Sequence, residues 1–305
     1  MWFKNLRLYR LTQPFKLSPE QLDEKLATKP FNPCGGLDVM RYGWVPPLGR
    51  HGSSLVHATD GCYMICAKKQ EKILPGAVVN EHLDERVGQI EAAESRRVSR
   101  KERQDLKDEI IFTLLPKAFT RSRLDFAYID TKSAMIVVNA GSAKRAEDLL
   151  AALREAIETL PCLPVTAQIL PVQVMTQWLA QGFADAPFVM GEECDLQAPK
   201  DGRIVRCKKQ DLSADEIRNH LTVGMVVHKM SLVWKEAINF VLDEQLGIKR
   251  IKFEDTLIEK SKDRRPETAA EEFDIEFAIM ALELRHFVQE LLVALGGEEM
   301  PEVEA

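Results

Sequence analysis

The chain has 305 residues, 41 Lys and Arg against 47 Asp and Glu, and 45% hydrophobic content, enough apolar material for one large or two ordinary cores. Its longest apolar runs, such as residues 134–138, are too short to cross a bilayer. The start Met1-Trp2-Phe3-Lys4 leads straight into alternating residues rather than the apolar run of a signal peptide, so a soluble, cytoplasmic protein with no membrane role is expected. Six cysteines with no C-x-x-C spacing fit a reducing compartment, and neither a metal site nor any other cofactor is expected.

Residues 3–11 alternate like a half-buried strand, and Ser18 with Gln21 forms a capping box that opens a helix near 19–28. Asp60-Gly61 between apolar runs at 55–59 and 62–67 predicts a hairpin. Residues 77–117 differ from their surroundings. Val79, Leu83, Val87 and Ile90 make a helical seam, residues 91–105 are nearly all charged, and Leu106, Ile110, Ile111 and Leu114 resume the seam until Pro116 stops it. A projecting helical arm is expected, with Arg96, Arg97, Arg100, Lys101 and Arg103 exposed; a solvated surface hairpin is the plainer alternative. A second hairpin follows, with 126–129 and 134–138 flanking 130–133, and Ser142 then caps a helix to about 157. Residues 223–253 hold three strands too close in sequence for helical crossovers. Glu267, Glu271, Glu272, Asp274 and Glu276 precede a packed helix marked by Phe277, Met280, Leu284, Phe287, Val288, Leu291 and Leu292, and 298–305 reads as a loose tail after Gly296-Gly297.

The expected fold is therefore α+β, with mixed, mostly antiparallel sheets and flanking helices. Four regions are distinguished: 1–76, an N-terminal α/β region; 77–117, the arm; 118–200, a central α/β region; and 201–305, a C-terminal sheet and helix region.

Charge is sorted along the chain. Residues 1–154 hold 25 basic and 19 acidic side chains, 155–199 none and 6, 200–265 15 and 11, and 266–305 1 and 11. A fold that gathers the two basic blocks on one face presents a positive track, although ordinary solvated faces explain the same counts. The word Lys-Lys-Gln-acid occurs twice, at Lys68-Lys69-Gln70-Glu71, followed by Lys72, and at Lys208-Lys209-Gln210-Asp211, each after a strand and a cysteine. Lysines at strand ends on a sheet rim can neutralise phosphates without reading bases, and a neighbouring amide adds a phosphate or sugar contact. The candidate DNA-binding residues are Lys68, Lys69, Lys72, Arg96, Arg97, Lys117, Arg121, Lys208, Lys209 and Gln210. Phe119 lies between Lys117 and Arg121, which are costly to bury beside it, so it is expected at an exposed tip as a self-association anchor; the alternative is a local core residue.

Enzymatic readings fare worse. Glu271 with Asp274, and Glu272 with Glu276, have helical neighbour spacing that could hold a metal for DNA cleavage, but no second cluster accompanies them. His51, His57, Cys62 and Cys66 lack a closed four-ligand spacing, Cys34 lacks a partner to make it a nucleophile, and no phosphate-binding G-x-x-x-x-G-K-[ST] occurs. No catalytic residue is assigned. A DNA binder is favoured, ahead of a metal-dependent nuclease and of an interaction scaffold with an acidic tail.

Several words carry a resemblance across nearly the whole chain. They are Trp2-Phe3-Lys4-Asn5-Leu6, Pro33-Cys34-Gly35, Gly43-Trp44-Val45-Pro46-Pro47, Glu71-Lys72-Ile73-Leu74-Pro75, Leu106-Lys107-Asp108-Glu109, Leu115-Pro116-Lys117-Ala118-Phe119, residues 143–148 and Lys208-Lys209-Gln210-Asp211-Leu212. In order and spacing the chain resembles RdgC, the recombination-associated family of proteobacteria. The resemblance implies a non-enzymatic, largely sequence-independent binder of double-stranded and also single-stranded DNA, associated with the nucleoid. It further implies a ring-shaped homodimer with a positively lined hole that restrains RecA-promoted strand exchange. It marks Phe119 as the plug of one dimer contact, and Lys209 and Gln210 as functional positions near the DNA or the second contact. Where a relative is expected to carry lysine after Gly224 this chain has Met225, which removes a DNA contact from that position.

Overall fold

Local chemistry places the turns. In the computed structural model, which describes residues 1–262, 264 and 266–299, Asp60 and Gly61 both take positive φ and join two strands, as the Asp-Gly pair predicts. Ser18 and Gln21 form the reciprocal capping box, and Ser142 and Thr268 cap later helices through their hydroxyls.

In chain order the elements are β1 (Arg7–Leu11), α1 (Pro19–Leu26), β2 (Met40–Val45), β3 (Val56–Thr59), β4 (Cys62–Ile73), α2 (Gly76–Glu94), α3 (Arg100–Leu114), β5 (Phe119–Asp130), β6 (Met135–Val138), α4 (Ala143–Ile157), β7 (Cys162–Pro164) and α5 (Pro171–Gln181). There follow β8 (Phe188–Gln197), β9 (Ile204–Lys208), α6 (Asp215–Thr222), β10 (Val226–Trp234), β11 (Ile238–Asp243), β12 (Ile248–Phe253), α7 (Asp255–Lys262) and α8 (Ala269–Ala294).

Two sheets form an α+β fold. The first runs β2-β4-β5-β6-β1-β7, with β3 on the same edge of β4 as β2; the second runs β12-β11-β10-β8-β9. Every pairing between these strands is antiparallel. Both faces of the first sheet are covered, which is why β6 is apolar at every position. On one face Ile65, Ala67, Ala127, Ile129 and Ile136 pack with α1 and α4. On the other, Met64, Tyr128 and Val137 share a core with α5, α8 and the second sheet.

α8 is wedged between the sheets. Its apolar residues recur at helical spacing and are buried from Phe277 to Leu292. Phe277 meets Tyr128 of the first sheet at 5.7 Å, while Phe287 meets Trp234 and Phe240 of the second at 5.6 and 4.8 Å. Arg285 donates to both carboxylate oxygens of Asp130, Nε to Oδ2 at 2.7 Å and Nη2 to Oδ1 at 3.1 Å. The amino terminus and the Trp2 indole both bind Glu276.

The first residues stitch the sheets together. Leu6 and Ile248 exchange backbone hydrogen bonds of 2.7 and 3.2 Å, and Ile251 donates to the Lys4 carbonyl, before the chain continues as β1 in the other sheet. Arg7 reaches Asp243 and the Gln245 carbonyl, and Asp243 also accepts from the Gln245 and Gly247 amides. A Cβ on Gly247 would lie 2.5 Å from Asp243 Oδ2 and 2.7 Å from Arg7 Cζ, so any other residue here would displace the Arg7–Asp243 pair.

Three expectations need correction. The strand predicted at 62–67 runs on to Ile73, and its partner β5 begins at Phe119, so the two form a long ribbon, flanked by β2 along β4 as far as Glu71. The polar segment hides this because neither ribbon face is deeply buried. The arm is two helices, α2 packed on α3, broken at Ser95, whose φ is 52°, and recapped by Ser99. Among the described residues of the expected tail, Glu298 is not loose: it accepts from Arg10 Nε and Nη2 at 2.8 and 2.5 Å, and the Glu299 amide bonds the Thr166 carbonyl. The remainder of that tail, 300–305, lies outside the described residues. Among the described residues no helix is long and apolar enough to cross a membrane.

Asp130 links helix and sheet in a pH-dependent way. Burial works to raise its pKa, but bonds from Arg285 and Ser133 more than offset this and hold it below the usual carboxylate range. A depressed pKa contributes stability that is complete above the unfolded value, near 3.9, and is lost as pH falls through the folded value. Asp130→Asn is expected to cost about 2–4 kcal/mol of unfolding free energy at neutral pH by removing the charge that Arg285 binds through two hydrogen bonds, leaving it only the longer pair with Asp60. In denaturant titrations the difference from wild type should narrow below about pH 4.

Candidate nucleic-acid interface

The β4–β5 ribbon carries the first basic word mid-strand rather than at a rim. Strand alternation puts Lys68, Gln70 and Lys72 on one face and Lys69 and Glu71 on the other. Lys68 stands over the Phe31 ring at 4.7 Å, Gln70 accepts from the Cys34 amide, and Lys72 reaches the Ala118 carbonyl. Opposite them, Glu71 takes Lys69 and Arg121 together. Arg123 and Arg145 converge on Asp125, which is 1% exposed and also accepts from the Tyr42 hydroxyl. Burial and this carboxylate push the Tyr42 phenol well up. These ribbon cations are divided between faces and largely engaged, so they do not form the single rim track expected.

At the ribbon tip Ile73 and Phe119 are register partners, and Phe119 is 84% exposed. Lys117 is exposed just before it. The far end of the arm holds Arg96 and Arg97, both exposed. Arg96 is clamped to Glu102 by two bonds of 2.7 Å and also bonds Glu94, which pushes its pKa up; Arg97 follows in the connector.

The second basic word sits where a strand does end. Lys208 closes edge strand β9, Lys209 turns the chain with φ of 53°, and the Gln210 amide bonds the Glu192 carbonyl. The two words occupy an inner strand of one sheet and an edge of the other, so the apparent repeat has no structural counterpart.

Lys208 belongs to a larger feature. A shallow groove of about 530 Å³ on the outer face of the second sheet, bordered by Asn5 and Gly141 at the junction with the first, is lined by Arg206, Lys208, Lys229, Lys249 and Arg250. These come from β9, β10 and β12: alternation turns Arg206, Lys208, Lys229 and Lys249 outward, and Arg250, next to Lys249, joins them where β12 is irregular, its φ being 52° and the β11–β12 register shifting there. The groove also holds two carboxylates, Glu193 and Asp195 of β8. Arg250 pairs with Glu193 at 2.6 Å, while Lys229 and Arg206 share Asp195 at 3.4 and 3.9 Å. Lys249 reaches Asp243 at 2.8 Å, and Lys208 alone of the five has no carboxylate partner among the described residues. Arg206, Lys229, Lys249 and Arg250 escaped the sequence reading. The signal was present in Ile248-Lys249-Arg250-Ile251-Lys252-Phe253, where cations interrupt a buried strand.

Several of the residues considered for metal chemistry have other partners. Glu276 holds the amino terminus, Asp274 pairs with His57 at 2.9 Å, and Glu271 accepts from the Glu267 amide. Cys62 accepts from Arg285, and burial raises its thiol to about 12.

Comparison with known proteins decides the family. The family described as "Putative exonuclease, RdgC" matches residues 1–298. Curated relatives named recombination-associated protein RdgC are 48% identical in Aeromonas hydrophila, over 98% of this chain and 99% of the relative, and 47% identical in Pseudomonas syringae, over 99% of both. A third, from Tolumonas auensis, is 44% identical over 98% of this chain and 99% of its own. The chain belongs to the RdgC family.

Within the RdgC frame, Met225 is core, 7% exposed, and offers no polar contact to a ligand. Phe119 lies free of the core, as expected for an anchor. Phe119→Ser should therefore leave the melting temperature within a few degrees of wild type in a thermal scan, since exposed substitutions typically change stability by about 0.5 kcal/mol or less. A large drop would return Phe119 to the core.

Proposed function

We propose that the chain binds DNA without sequence preference and does not cleave it. Two copies close a ring around duplex DNA, with single strands as a further ligand. By occupying nucleoid DNA the protein restrains RecA-promoted strand exchange during recombination and replication-fork repair. The observation that carries the reading is the groove of Arg206, Lys208, Lys229, Lys249 and Arg250 on an open sheet face. Cations spread over a broad, shallow surface can neutralise successive phosphates while leaving the base edges unread. The recombination-associated role named for the relatives agrees with this. The ring, closed at one contact by Phe119, and the opposition to RecA rest on the family resemblance.

The family description as an exonuclease makes metal-dependent cleavage the second reading. Supercoiled plasmid incubated with the protein and Mg²⁺ or Mn²⁺ separates the two. Retardation without nicking is expected, and nicked or linear product would establish the nuclease.

If roughly five to eight cations neutralise phosphates, log K for duplex DNA should fall with log salt at a slope of about −4 to −7, alike for unrelated sequences. Lys208→Ala with Lys209→Ala should weaken binding to all duplexes equally and flatten the slope by about two at most. A slope near zero, or strong preference for one sequence, would contradict the phosphate reading.

A further inference from the structure

The groove contains its own anions, and their placement is specific. Glu193 and Asp195 project from β8 into the middle of a surface whose other charged groups are cations. Their main partners Arg250, Lys229 and Arg206 have side chains 60%, 46% and 65% exposed, so the pairs are solvent-screened and contribute little to folding. The backbone is nonetheless fitted closely here. The β8–β10 register shifts between Met230 and Leu232, and in that bulge the Ser231 hydroxyl donates to the Glu193 carbonyl at 3.1 Å and accepts from its amide at 2.8 Å. A Cβ on Gly191 would lie 2.5 Å from Ser231 Oγ, so glycine is required for the hydroxyl to enter. Bulges of this kind re-aim a strand's side chains. Here the bulge carries Glu193, and Asp195 lies two residues on, in register with Lys229.

We infer that Glu193 and Asp195 are built-in competitors for phosphate: they hold the groove's cations in the free protein and set how tightly the groove grips DNA. This rests on the DNA-binding reading above. Each carboxylate occupies a cation that a phosphate must take over, and it repels that phosphate once displaced. Asp195 is shared by two cations at 3.4 and 3.9 Å, distances at which neither is saturated. The consequence is a contact that exchanges readily along a backbone instead of locking onto one position.

The test compares the wild-type protein with Glu193→Gln, Asp195→Asn and the double variant, using one labelled blunt duplex over a series of salt concentrations. Glu155→Gln on α4, whose partner is Lys29, serves as a charge-matched control away from the groove. The double variant should bind about three- to tenfold more tightly at moderate salt, with slower dissociation and unchanged melting temperature. Its log–log salt slope should be steeper by about one to two units, and the control should match wild type. Equal or weaker binding by the double variant, or equal tightening by Glu155→Gln, overturns the competitor role. Wild type that fails to bind duplex, or Arg250→Ala with Lys208→Ala binding as wild type does, removes the groove itself as the DNA site and the competitor role with it.

Discussion

The structure depends on α8 being buried from two sides. Its apolar residues are shared between the inner faces of two sheets, with Phe277 on Tyr128 and Phe287 between Trp234 and Phe240. Each such side chain contributes about 1.5–3 kcal/mol by leaving water. Neither sheet can keep that contribution if the other departs. The N-terminal strand adds a second tie, bonding β12 through Lys4 and Leu6 before entering the first sheet. With the inner faces committed, the outer face of the second sheet, the ribbon and the arm remain for partners.

This arrangement redistributes the charge sorted along the sequence. Part of the acidic block after residue 266 is engaged by the protein: Glu276 meets the amino terminus, Glu290 meets Trp234 and Lys235, and Glu298 meets Arg10. Glu193 and Asp195 of β8 pair with cations of β9, β10 and β12. A net charge of −6 is therefore compatible with a basic groove.

Elements bounded by local chemistry were legible in the sequence: the capping box at Ser18, the turn at Asp60-Gly61, and the strands of 223–253 with their short connections. Residues 68–73 were not, because strand alternation shows itself through one buried face and the ribbon has none. Lys68 and Lys69, read as a pair, fall on opposite faces, as adjacent residues of a regular strand do. Glu298 looked free because its partner, Arg10, is far away in sequence. Phe119 was legible at its tip through the cations around it. The groove was missed because it is assembled from β8, β9, β10 and β12, and no single segment contains it.

The account's central claim is that the outer face of the second sheet meets the DNA backbone. Lysine acylation of the intact protein with and without saturating duplex, read by mass spectrometry, tests it most directly. Lys208, Lys229 and Lys249 should be protected by DNA, while Lys25 and Lys29, paired with carboxylates on the opposite side of the first sheet, keep their reactivity. Unchanged reactivity of the three groove lysines, with protection of Lys25 and Lys29, would contradict it.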